Sequence, residues 1–228
     1  MAVINDPNTA ANIAAVGAKA FSPMHALSGP FPIGAGGGYR LSSQSGTMAA
    51  ALGANSEIFQ FRFVTAAARV ALIHGISISA GANVAASAAA LAAIRVSLAR
   101  AWTVAGSGGT RFNLTGNNQK LRTTHATSEV SDAGISTTAA LTAGTKTFDA
   151  QDIGSIALGI GTGAITVSVP LVLIPKTNLV GEFAGSLAFL AVLANQEGFA
   201  IRTGANAFPA ALTWNFAVDV AWSEVDAF

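Results

Sequence analysis

The sequence predicts an all-β protein, a β-sandwich or jelly roll with an extended N-terminal arm, and two observations carry that expectation, with a third bearing on assembly. Leu212, Trp214, Phe216, Val218, Val220 and Trp222 fall on one side of a period-two pattern, with Thr213, Asn215, Ala217, Asp219, Ala221 and Ser223 on the other. Only a strand sends alternate side chains to opposite faces; a helix would scatter Trp214, Phe216 and Trp222 around its circumference. Shorter alternating runs recur along the chain between Gly-, Asn- and Pro-rich connections, with no convincing amphipathic helix among them. That pattern favours a sandwich over an α/β fold. Finally, charged residues make up 10% of the chain, against about 25% in ordinary globular proteins.

Taken in order, residues 1–55 read as the arm and residues 56–228 as the sandwich domain. Asn5 to Ala20 has the makings of a short, weak helix, with Asp6 or Asn8 as its cap. Pro23, Pro30 and Pro32 then force extended backbone, and Gly34 to Gly38 loosen it. The arm's apolar and proline residues Phe21, Pro23, Pro30, Phe31, Pro32, Ile33 and Tyr39 are the candidate assembly contacts. Alternation begins at Ile58, where Phe59, Phe61 and Phe63 face one way and Gln60 and Arg62 the other. Arg69 to Ser79 follows, with Val70, Leu72, His74, Ile76 and Ile78 expected on one face, and the connection Thr65 to Ala68 would allow it to pair with the preceding strand as a neighbour. Gly81 to Ala93 is open between helix and loop, since Ala favours the one and Gly81, Asn83 and Ser87 the other. Ile94 to Trp102 alternates again, with Arg95 and Ser97 outward. A long polar stretch to about Thr145 reads as loops with short strands, the usual place for contact surface. Lys146–Phe148, Ile156–Ile160, Ala164–Val169, Leu171–Ile174, Leu187–Leu193, Phe199–Thr203 and Leu212–Val225 complete the expected strands.

A length of 228 residues allows a substantial core. With an apolar fraction of 51% and a mean hydropathy of +0.52, the membrane has to be tested. Gly75 to Ile94 is long enough to span but is mostly Ala, Ser and Gly. Ile153 to Pro175 is broken by Gly, Thr, Ser and Pro170. Neither stretch has aromatic belts or asymmetric basic flanks, so no membrane partner is expected. Burial against sister subunits is the preferred explanation for the missing charge. A net charge of +1 gives no electrostatic case for nucleic acid. Arg111, Lys120 and Arg122 read as a solvated basic loop. Cysteine is absent, which excludes disulfides and thiolate chemistry. The N-terminal residues lack the basic start of a secretory signal, so synthesis and assembly in a cytoplasm are expected.

No constellation points to catalysis. His25, His74 and His125 are far apart, without metal-ligand spacing. Asp149 with Asp152, and Glu129 with Asp132, are the nearest approach to paired carboxylates, and TFDAQDIG lacks the full oxygen series of a Ca²⁺ loop. Turn capping is the plainer role for these acids. GAGGG at Gly34 to Gly38 has no following Lys-Ser/Thr for a phosphate loop, and no G-x-S-x-G elbow occurs. Asn113-Leu114-Thr115 is a glycosylation sequon that matters only in a secreted eukaryotic protein. The Trp214, Phe216, Trp222 stripe reads as core, with a sugar-stacking platform as the alternative. No cofactor is expected.

AWTVAGSGGTRFNLTGNNQKLRT (Ala101 to Thr123) and LANQEGFAIRTGANAFPAALTWNFAVDVAWSEV (Leu193 to Val225) resemble structural proteins of tailed-bacteriophage virions. The resemblance runs from about Ile58 onward. It implies a non-enzymatic virion component, either a capsid decoration or cement protein or a head- or tail-attached fibre base. The implied partners are the major capsid protein or other virion proteins, and further copies of the chain, with a trimer favoured. A tail or fibre component that binds host surface glycan is the second expectation. A polysaccharide hydrolase recruiting Asp149, Asp152 or Glu129 in space is the third.

Overall fold

The computed structural model describes residues 37–49, 51–66, 68–114, 116, 119–162, 171–180 and 191–226. Twelve strands and no helix occur among these residues, and all pairings are antiparallel. The first sheet contains β1 (Gly37–Gln44), β3 (Arg69–Val84), β9 (Leu171–Val180), β10 (Ala191–Leu193) and β12 (Thr213–Asp226), in the order β1-β12-β3-β10 with β9 also on β3. The second contains β2 (Glu57–Phe63), β4 (Ala90–Val104), β5 (Thr110–Arg111), β6 (Val130–Ile135), β7 (Thr145–Phe148), β8 (Gly154–Ile160) and β11 (Glu197–Thr203). Its order is β5-β6-β2-β11-β4-β7, with β8 also on β4. The two sheets pack face to face as a β-sandwich, as the alternation predicts.

The core lies between the apolar faces. Strand β12 supplies Trp214, Phe216, Val218, Val220 and Trp222, all essentially inaccessible, so the aromatic stripe is core and not a sugar platform. Strands β2 and β11 answer from the other sheet with Phe59, Phe61, Phe63, Phe199 and Ile201. The rings form a continuous array. Phe61 stacks on Phe199 at 5.0 Å between centroids and meets Trp222 edge-on at 5.0 Å, so one contact crosses the sandwich.

Several expectations need correction. Residues 37–44, read from sequence as part of the arm, form β1, which pairs along β12 from Gly37↔Glu224 to Gln44↔Ala217. Its Tyr39 and Leu41 carry the alternation, two apolar residues too few to register as a strand signal beside the glycines. Residues 1–36, with the expected weak helix, lie outside the described residues, as do the expected strand Ala164–Val169 and residues 187–190. Strands β2 and β3 do not pair with each other. They belong to opposite sheets, so their apolar rows face across the core. Residues 81–93 are neither a helix nor one loop: β3 runs on to Val84, a short connection crosses between sheets, and β4 begins at Ala90.

The expected single face of β3 is also split. In the pairing with β12, Ala221↔Gly75 is followed by Trp222↔Ile73, so His74 is an extra residue. Such a bulge reverses the alternation. Ala71 and Ile73 point inward on one side of it and Ile76 and Ile78 on the other, while Leu72 and His74 lie on the outer face. At the same place the neighbouring edge breaks: β9 ends with Val180 opposite Ile76, and β10 resumes with Ala191 opposite Ile73. Strands β9 and β10 are thus two pieces of one edge, separated in sequence by residues 181–190.

Candidate functional site

Each sheet has an outer face, and the two differ in kind. On the first sheet, Arg40, Ser42 and Gln44 of β1, Asn215, Ala217 and Asp219 of β12, and Ser77, Ser79, Gly81 and Asn83 of β3 alternate with the core residues. Gln44, Ser79, Asn83, Lys176 and Asn215 line a shallow groove of about 550 Å³ on this face. The Asn83 amide donates to the Asn215 carbonyl oxygen, and Lys176 Nζ lies 2.5 Å from Asp219 Oδ2. Burial pushes the Asp219 carboxyl up, but the hydrogen bonds from Lys176 and Ser42 and the charges of Lys176 and Arg40 outweigh it and hold the group below its ordinary value. The result is a groove of small and amide side chains, lined as well by Ala80, Ala82, Ile174 and Phe216.

The outer face of the second sheet is roofed by the chain itself. Gln60 and Arg62 point away from the Phe row, as the alternation predicts, yet Gln60 is completely buried. A bulge at Ile58, between the pairings Ile201↔Phe59 and Arg202↔Glu57, turns Glu57 to the same outer side. A positive φ of 47° at Ala101 likewise interrupts β4. Trp102 then lies over Gly198, so closely that a Cβ on Gly198 would sit 2.9 Å from the ring. The segment containing β7 closes over these residues. Leu141 N donates to Glu57 O at 2.8 Å, and Lys146 Nζ reaches Glu57 Oε2 at 2.8 Å while sitting 4.0 Å from the centre of the Trp102 ring. The Lys146 and Glu57 side chains are 1% and 5% exposed. Burial draws the Lys146 ammonium below its ordinary value in spite of Glu57. Burial and the neighbouring Arg95 do the same to Arg202, whose guanidinium stacks 4.2 Å from the Phe148 ring.

The acids singled out from the sequence are brought close to arginines and not to each other. Asp149 and Glu197 bind Arg100, whose pKa is raised by those two hydrogen bonds. Asp152 binds Arg95 at 3.2 Å and accepts from Ser97 Oγ at 2.5 Å. Asp132 pairs with Arg111, and Glu129 with Arg69, which also reaches Asp226. Apart from Asp6 and Glu182, outside the described residues, every carboxylate of the chain is committed to an ion pair or, for Glu224, to three donors. Arg111 is therefore no solvated loop residue: it sits on β5 and points at Asp132 and Gln60. No group of His, Asp and Glu able to hold a metal occurs among the described residues.

Of the candidate assembly contacts, Phe21, Pro23, Pro30, Phe31, Pro32 and Ile33 lie outside the described residues. Tyr39 lies inside the sandwich, fully buried and stacked 5.3 Å from Trp222, because its strand alternates inward at that position. Burial, together with the charge of Glu224, raises its phenol pKa. Its hydroxyl donates to Ala126 O at 2.8 Å. Gly38 N donates to His125 Nδ1 at 3.0 Å, so the loop carrying His125 is stitched to β1. His74 shares a hydrogen bond of 2.7 Å with Ser223 Oγ, and its burial lowers its pKa. His25, Thr115 of the sequon and Gly34 to Gly36 are outside the described residues.

Glu224, which the sequence pattern puts on the face opposite the aromatic stripe or at the strand's end, is fully buried at the same end. It accepts from Ser128 Oγ at 2.6 Å, Glu129 N at 3.0 Å and Trp222 Nε1 at 3.2 Å. Burial raises its pKa, outweighing these donors. Between the ordinary carboxylate value and the raised one, the folded chain holds more protons than the unfolded chain. The stability this group contributes is thus fully present below the ordinary value and is lost as pH rises through the folded value. Urea unfolding across the acid-to-neutral range should show wild type losing ground to Glu224→Gln as pH rises. A difference between the two that is flat with pH would refute this assignment.

No family model matches the chain, and a search of the curated proteins finds no match. Among the described residues no helix is long and apolar enough to cross a membrane.

Proposed function

We propose that this chain is a non-enzymatic structural subunit of a larger protein assembly, and specifically a decoration or cement protein on a tailed-bacteriophage capsid. The observation that carries the non-enzymatic part is the commitment of every described carboxylate. General acid–base chemistry on a bound substrate needs a group open to that substrate, and the described carboxylates are engaged by arginines, lysines or the backbone of the chain itself. The assembly part rests on the low charge, on the groove face of the first sheet with its mixed amide and apolar lining, and on the 36 residues that precede β1. The virion part rests on the resemblance of Ala101 to Thr123 and Leu193 to Val225 to phage structural proteins. On this reading residues 1–36 lace over the capsid surface or a sister subunit, and apolar burial supplies the affinity at about 25 cal/mol per Å² before association costs. A trimer is the favoured state.

A second reading, a tail or fibre component that binds surface glycan, draws on the amide side chains of Gln44, Asn83 and Asn215 in the groove. Sedimentation and quantitative mass spectrometry of purified particles separate these. A decoration protein is expected to self-associate and to be present in many copies on full heads, with binding lost on removal of residues 1–36 while the sandwich still folds. A well-behaved monomer at high concentration that ignores particles rejects the proposal. Few copies per particle with binding to cells selects the glycan reading.

A further inference from the structure

Under the roof of the second sheet, an amine, a carboxamide and a carboxylate are packed together without solvent. Glu57 Oε2 contacts Lys146 Nζ at 2.8 Å and Gln60 Nε2 at 2.6 Å, so the amine and the amide nitrogen share one carboxylate oxygen. Gln60 Nε2 also donates to Thr142 O at 2.7 Å, and Arg111 Nη2 donates to Gln60 Oε1 at 3.0 Å. The backbone at Gly106 presses on the same amide: a Cβ there would lie 2.2 Å from Gln60 Oε1. The carboxamide is thus held at both ends, with a cation on its oxygen and a proton acceptor on its nitrogen. Lys146 and Gln60 are 1% and 0% exposed.

We propose that Lys146 and Gln60 become joined by a self-catalysed isopeptide bond between β7 and β2. Glu57 acts as the proton carrier and Arg111 as the oxyanion stabiliser. The parts match those of acyl transfer: a desolvated amine as nucleophile, an adjacent base, and a donor placed where charge develops. Lys146 Nζ gives a proton to Glu57 and attacks Gln60 Cδ. The carbonyl π electrons move to Oε1 beside Arg111. On collapse the Cδ–Nε2 bond breaks, Glu57 returns the proton to Nε2, and ammonia leaves. The second proton shed by Nζ goes with it as ammonium, and nothing is oxidised or reduced. Burial favours the reaction in two further ways. It keeps out the water that would hydrolyse the amide instead, and it depresses the Lys146 pKa so that the free amine is accessible. This inference stands apart from the assembly reading, since it concerns one chain alone.

Intact mass of the full chain, purified from expression and measured denatured, is expected to fall short of the sequence mass by one ammonia. A tryptic digest should contain one branched peptide joining the Gln60 and Lys146 segments, uncut after Lys146. That branch distinguishes the bond from a succinimide at an asparagine, which loses the same mass. Lys146→Arg and Glu57→Gln, each checked for folding by circular dichroism, should keep the full mass. Full mass in the wild type, with two linear peptides and cleavage after Lys146, would overturn the proposal, and this result does not depend on either variant folding. Loss of one water with a branch at Glu57 would overturn Gln60 as the acceptor. Ammonia loss in folded Glu57→Gln would overturn the proton-carrier role.

Discussion

Trp222→Ala is expected to remove about 3–5 kcal/mol of stability, the range for deleting a fully buried large aromatic. Trp222 is 1% exposed and is the ring through which the sheets touch, stacked on Tyr39 of its own sheet and edge-on to Phe61 of the other. Its Nε1 donates to the buried Glu224 at 3.2 Å. Truncation therefore opens a cavity between the sheets and also withdraws a donor from a carboxylate that has few alternatives. Trp222→Phe separates the two effects, since most of the ring remains and only the donor is lost. That variant should cost about 1.5–3 kcal/mol, the range for a hydrogen bond to a charged group. Urea unfolding checks both through the midpoint at unchanged slope. A loss below about 1 kcal/mol for the Ala variant, outside the range for such truncations, would mean that the inter-sheet packing is looser than described.

Measured against the chain before any cross-link forms, in which Lys146 is still the ammonium partner of Glu57, Lys146→Met should cost a similar amount, about 3–5 kcal/mol, for a different reason. The apolar stem is retained, but Glu57 is left 5% exposed without its cation. The penalty is that of an uncompensated buried charge and not of lost attraction. Removing both charges in Glu57→Leu/Lys146→Met should therefore restore much of the stability, as replacing a buried pair by apolar groups often does. The double variant also lacks the nucleophile, so any deficit that persists in it measures the covalent link. Equal losses in the single and double variants of an uncross-linked chain would rule out the charge explanation.

The fold class was legible because β12 repeats its period without interruption over a long run, and Trp214, Phe216 and Trp222 sit where that period puts them. The misreadings cluster where the period is broken. Ile58, His74 and Ala101 each interrupt a strand's regular geometry, and at the first two an extra residue reverses the faces. A pattern of two cannot announce its own phase change, so the sequence of β3 reads as one face where the structure has two. Sheet membership was equally hidden. Strands β2 and β3 follow each other closely, and only packing decides that their apolar rows meet across the core. The polar cluster was half legible. The alternation puts Gln60, Arg62, Arg95 and Ser97 on the outer face, but nothing in their own strands reveals that Leu141, Lys146, Asp149 and Asp152 come to bond with the groups on that face. Arg111 reads from sequence as part of a solvated basic loop, and Lys146 only as the start of a short strand, because their partners, Asp132 and Glu57, are on another strand or distant in sequence.

The pairing Gly37↔Glu224 has a geometric corollary. It brings residue 37 and the last described residues side by side at one end of the sandwich. The crossing from Val84 to Ala90 lies at the other, where Val84 and Leu91 are 50% and 74% exposed. The module is polar in the way a peg is: whatever is tethered through the leading segment grips the domain by its foot. A circular permutant joining residues 37 and 226 and reopened at residues 85–89 would hang from the same surface upside down.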